Sequence, residues 1–158
     1  MKNNYPEERL PRGTITPKKG EAAMADSWTQ KFNRDYAPVT KRLDKNFSGI
    51  KAGEMMLIST PRDIVSYVRA IPEGEARSIP QMRDDLADAA GADKTCPLTA
   101  SIYLRFAIEA ELEGLDGAED SPHMLPFWRV LDAQSPLAKK LSCGTSFITR
   151  KRQAEGLE

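Results

Sequence analysis

Met124-Leu125-Pro126-Phe127-Trp128-Arg129-Val130-Leu131 is the stretch on which the reading of this chain turns. Seven apolar residues enclose a single arginine, so the segment belongs in a core and the arginine must be satisfied there. It reads as a strand or turn leading into that core. One of the pair Phe127 and Trp128 is expected to point inward and the other outward. Arg129 is expected either to anchor the segment to helix carbonyls and acids or to line a ligand pocket.

Upstream, the pattern is helical. Thr60-Pro61 with Asp63 is a helix start, and Ile64, Tyr67, Val68 and Ile71 recur on one face until Pro72. Ser78 caps a second helix with Pro80 just inside it, Ile79, Met82 and Leu86 as its buried stripe, and Gly91 at its end. Pro97 opens a third, whose apolar residues Leu98, Ile102, Tyr103, Phe106, Ala107 and Ala110 run toward Gly114. Helices over 78–90 and 96–112 joined by a short Gly-containing turn outline a helix-turn-helix, and a following extended segment would make it winged. Met55-Met56-Leu57-Ile58 suits a brief strand. Residues 114–123 read as an exposed loop, Asp132 to Lys140 as a connection with a short turn of helix, and Thr145 or Ser146 as the cap of a last helix through Glu155, closed by Gly156.

Residues 1–24, with Pro6, Pro11, Pro17, Gly13 and Gly20, lack apolar periodicity and read as a disordered basic tail. Residues 25–52 carry Trp28, Phe32, Tyr36, Val39, Leu43 and Phe47 at helical spacing broken by Pro38, which suits a packing or linker segment. Residues 53–158 form the expected domain. The fold class expected is mainly α: a winged helix-turn-helix-like domain with a short β element.

Three stretches together carry a resemblance. Ile71-Pro72-Glu73-Gly74 ahead of a helix resembles the Ile-Pro-x-Gly turn of the DNA-binding domain of alkylguanine-DNA alkyltransferases, the methylated-DNA–protein-cysteine methyltransferases. Pro126-Phe127-Trp128-Arg129-Val130 resembles their Pro-Cys-His-Arg-Val active-site motif, whose arginine sits within a buried segment, and the resemblance thereby favours an anchoring role for Arg129. The Gly144 turn and the helix ending Lys151-Arg152-Gln153-Ala154-Glu155-Gly156 resemble their closing turn and Lys/Arg-Glu-Gly helix. The similarity spans roughly residues 55 to 156. It points to the alkyltransferase-like proteins, which lack the cysteine, bind alkylated DNA without repairing it and flag it for excision repair.

The departures from that family are specific. Alkyl transfer needs an activated thiolate, and here Phe127 stands at the cysteine position and Trp128 at the histidine position. The tyrosine that helps rotate the target phosphate is matched by Ile79, and the arginine finger falls near Leu98. The resemblance therefore implies a non-enzymatic DNA-binding protein without cofactor. DNA contacts are expected from Ser78, Thr99, Ser101, Arg105, Arg129, Arg150 and Lys151, with Phe127 and Trp128 forming a pocket in which a base would stack.

Charge supports more than one partner. The net charge is zero, but residues 1–51 hold eleven lysines and arginines against six acids, and the end is basic again at Lys139, Lys140, Arg150, Lys151 and Arg152. Between Ala107 and Asp132 seven acids face Arg129 alone. The alternative reading is a protein-interaction module whose acidic 107–132 stretch and exposed Trp128 meet a partner. A third is a thiol enzyme using Cys96 at a helix start, although a buried, inert role is favoured for Cys96 and Cys143 alike. Two cysteines and one histidine, His123, exclude a disulfide framework and most structural zinc sites. No apolar run reaches membrane-spanning length, and Met1 to Pro6 lack the apolar core of a signal peptide, so a cytoplasmic location away from membranes is expected.

Overall fold

A computed structural model describes residues 25–115 and 121–157. Along the chain run α1 (Trp28–Phe32), β1 (Val39–Arg42), β2 (Met55–Ile58), α2 (Pro61–Arg69), α3 (Ile79–Ala90), β3 (Lys94–Thr95), α4 (Pro97–Gly114) and α5 (Thr145–Ala154). Single 3-10 turns lie at Phe127–Arg129 and Ala138–Lys140. The architecture is thus mixed, helices around a small three-stranded sheet.

The sheet has the order β1-β2-β3. β2 pairs antiparallel with β1, Val39 opposite Ile58 and Arg42 opposite Met55, and parallel with β3, Met56 opposite Lys94. The run Met56-Leu57-Ile58 is continuously buried because β2 is central, whereas β1, at an edge, alternates half-buried and exposed. The segment 25–52 therefore contributes a strand to the sheet as well as a short helix. Pro38 separates the two, since proline tolerates a strand approach better than a helix interior.

The helix starts follow their capping residues. Thr60 accepts from the Asp63 amide and Ser78 from the Gln81 amide, each at 3.1 Å. Gly91 closes α3 at φ +70°, the left-handed conformation that favours glycine. The connection from α3 to α4 is more than a turn. Its Asp93 and Cys96 amides donate to the Met55 and Leu57 carbonyls, so the helix pair is stitched to the sheet through β3. The last helix begins one residue earlier than Thr145 as cap implied, with Gly144 in the cap position.

No strand follows α4 among the described residues. The stretch expected as a strand or turn is a 3-10 turn, in which Leu131 and Val130 donate back to the Phe127 carbonyl. Proline at 126 removes one ladder donor and the arginine at 129 is drawn sideways to a carboxylate, so the segment curls instead of pairing. Its apolar residues are all buried, joining Met56, Ile64, Val68, Met82, Leu104, Ile108 and Ile148 in one core. The disordered tail expected over 1–24 lies outside the described residues, as does the part of the acidic loop at 116–120. Among the described residues no helix is long and apolar enough to cross a membrane.

Candidate functional site

Glu155 lies at the C-terminal end of α5, where the helix dipole disfavours an acid. Its partners explain it. Oε1 accepts from Arg129 Nε at 2.9 Å and from the Gly74 amide at 3.1 Å. Oε2 accepts from Arg129 Nη2 at 2.9 Å and from the Trp128 indole at 2.7 Å. Arg129 Nη1 donates to the Ile71 carbonyl at 2.8 Å, and the Arg129 carbonyl accepts from the Arg77 amide at 2.8 Å. One carboxylate thus holds together Ile71–Gly74, Phe127–Arg129 and the end of α5, stretches far apart in sequence. Burial pushes the Glu155 carboxyl up, but the Arg129 guanidinium, the Gly74 amide and the Trp128 indole outweigh it and hold it at about 2. Arg152 adds a second clasp, its Nη1 donating to the Trp128 carbonyl at 2.6 Å.

Arg129 is therefore an anchor, the role that the resemblance favoured for it. Phe127 and Trp128 do not divide as expected: both are buried, at 0% and 6% exposure. Phe127 stacks on Phe147 with ring centroids 5.9 Å apart, and Trp128 meets the same ring edge-on at 6.3 Å. The indole is drawn inward because Glu155 needs its N–H. An exposed Trp128 as a partner-binding residue is overturned by the same burial.

Beside this cluster lies an open depression of about 590 Å³ bordered by Arg69, His123, Trp128, Lys151 and Glu155. A second, of about 430 Å³, is bordered by Ser78, Ile79, Val130, Asp132 and Arg152. Neither lining contains a cysteine.

The remaining predicted DNA contacts are scattered. Ser78 spends its hydroxyl as the α3 cap. Thr99 and Ser101 are half-buried on α4, the Thr99 hydroxyl facing the Cys96 carbonyl at 3.5 Å. Arg105 is half-buried, with its guanidinium carbon 4.9 Å from the Trp28 ring centre and Nη2 donating to the Lys140 carbonyl. Arg150 is exposed, 5.6 Å from the Phe147 ring, and Lys151 sits over Trp128 at 5.0 Å. The large apolar side chains left exposed among the described residues are Leu98 (54%) and Ile102 (48%), one turn apart on α4.

Sequence reading missed Glu155 as a hub, although a lone acid ending a basic helix was a usable signal. It also missed Trp28 and Lys31, because nothing local shows that α1 lies on α4. Cys96 is buried, as the inert reading held. Burial, with the Glu109 carboxylate adding, pushes the Cys143 thiol up, away from thiolate at neutral pH. No group of His, Cys, Asp and Glu among the described residues is arranged to hold a metal. Comparison of the chain with protein-family models, with curated proteins and with solved structures finds no match.

Proposed function

We propose that the chain is a non-enzymatic, cytoplasmic DNA-binding protein of the alkyltransferase-like kind, with α3 and α4 as the helix-turn-helix of a winged-helix relative. The observation that carries this reading is the convergence on Glu155. The three stretches that resemble the alkyltransferase motifs meet at one carboxylate. Motifs that were only loosely diagnostic apart gain weight when they share a hydrogen-bond network. With Phe127 buried where the family places its nucleophile, the chain binds and does not transfer alkyl groups. Alkylated duplex is the expected preference, with the depression bordered by Ile79 and Val130 as the place for an extruded base.

A mobility shift at low salt on plain and O6-alkylguanine duplexes tests it. Retention that weakens steeply with salt is expected. No retention of either duplex overturns the reading.

A second reading, a protein-interaction module that no longer binds DNA, is favoured by the exposed Leu98 and Ile102 together with exposed Asp84 and Asp88 on α3. Exposed acids on the first helix of the pair oppose phosphate there. Stoichiometric co-purification of one protein, abolished by Leu98→Asp, would establish this reading in place of the first.

A further inference from the structure

Trp28 stands at the centre of a cluster of cations outside the Glu155 network. The Glu113 carboxylate accepts from the Trp28 amide at 3.3 Å and the Thr29 amide at 3.0 Å, which lays α1 across α4. Hydrogen bonds from the Thr29 side chain and amide hold that carboxyl below its ordinary value, so it is charged at neutral pH. The Trp28 ring packs 6.2 Å from Phe106. Against it sit the Lys31 ammonium, 4.3 Å from its centre, and the Arg105 guanidinium at 4.9 Å. Arg105 Nη2 donates to the Lys140 carbonyl at 3.3 Å, which brings the turn carrying exposed Lys139 and Lys140 to the same place.

Lys31, Arg105, Lys139 and Lys140 have no carboxylate partner among the described residues. The nearby acids of α4 are committed to other donors. Glu113 holds α1, and Glu109 accepts from the Ser142 amide and hydroxyl. Lys31 and Arg105 meet at the Trp28 ring, and the backbone of the turn carrying Lys139 and Lys140 lies beside Arg105, so positive charge concentrates on this side of the molecule and an anion joining it would relieve the repulsion. Arg105 is fixed by a ring and a carbonyl and Lys31 is half-buried over the same ring, while Lys139 and Lys140 are exposed point charges. The Trp28 ring already carries two cations, so it is poorly placed to stack a base. What this arrangement suits is a run of phosphates read by charge alone.

We infer that Lys31, Arg105, Lys139 and Lys140 form a clamp for the phosphodiester backbone of duplex DNA, an inference that rests on the DNA-binding reading above. It places the backbone against the α1 side of α4 and the 138–140 turn, away from the Glu155 cluster.

The test is fluorescence anisotropy of a short labelled duplex with the full chain over a salt series. The wild type is compared with Lys139→Glu/Lys140→Glu and with the charge-matched Lys45→Glu/Lys51→Glu on the β1–β2 connection. All four positions are exposed, and thermal melts of both variants check that they fold. The patch variant is expected to lose about tenfold or more in affinity at low salt and to flatten the log–log salt slope by about two. The control should lose clearly less. Wild-type binding with an unchanged slope in the patch variant, or equal losses in both variants, overturns the clamp and leaves the DNA reading standing. No wild-type binding at any salt overturns both. Binding of polyglutamate without duplex would assign the patch to an acidic protein and overturn the clamp.

Discussion

Glu155 shows how one side chain can decide a local architecture. Its carboxylate faces a guanidinium, an amide and an indole with little access to water; side-chain exposures are 13% for Arg129 and 10% for Glu155. Removing it strands Arg129 as a nearly buried, unpaired charge. Glu155→Ala is therefore expected to cost about 3 kcal/mol, or about 9 °C in a thermal melt of a chain this size. The carboxyl, at about 2 in the folded chain, lies below its ordinary 4.5. Its contribution is thus complete above about pH 4.5 and is lost as pH falls toward 2. Acid titration followed by circular dichroism should show this loss in the wild type and a smaller one in Glu155→Gln. Phe127 makes a second residue-scale prediction. Introducing a thiol with Phe127→Cys should not yield alkyl transfer from an alkylguanine duplex, because the position has no exposure and its neighbour is Trp128, which cannot act as a base. The lost ring should leave a cavity costing about 3 kcal/mol, measurable by chemical denaturation.

At the scale of elements, caps and glycines were the most legible features. Thr60, Ser78 and Gly91 act as their chemistry dictates because a cap is satisfied within a few residues. Ser78→Ala should lower stability by about 1 kcal/mol in urea denaturation, and a negligible change would mean that the Gln81 amide finds another acceptor. Elements whose form depends on a distant partner were legible only in part. The 124–131 stretch left strand and turn open, and the turn forms as Arg129 is pulled to Glu155 and the chain tightens into a 3-10 turn. Trp28–Phe47 reads as one interrupted helix, yet becomes α1 and β1 because β2 offers an edge and α4 offers a face. Trp128 went inward for the same reason: the acceptor for its N–H comes from a helix 27 residues away.

For the whole molecule, the acidic stretch changes meaning once the chain is folded. Glu109, Glu111 and Glu113 are engaged with Ser142, Arg69 and the α1 amides, so they brace α4 and do not simply form a solvent-facing acidic surface. What α4 leaves open is Leu98 and Ile102 toward its start and, one turn on, the cation cluster around Trp28. Leu98→Asp/Ile102→Asp should leave the melting temperature within about 3 °C, since each substitution at an exposed position away from caps and pairs costs roughly 0.5 kcal/mol or less. A large drop would mean that these side chains are covered in solution. By itself the sequence determined the caps Thr60, Ser78 and Gly91, the buried positions Ile64, Val68, Met82 and Leu86 of α2 and α3, and the absence of a thiol at position 127. Those follow from periodicity, capping and residue type, which act within a turn or two of chain. The tertiary structure alone decided that three separated motifs meet at Glu155, that both Phe127 and Trp128 lie inside, and that Lys31 and Arg105 meet at the Trp28 ring beside the turn carrying Lys140. Long-range carboxylate hydrogen bonds and helix packing choose their partners through space, and no local pattern encodes that choice.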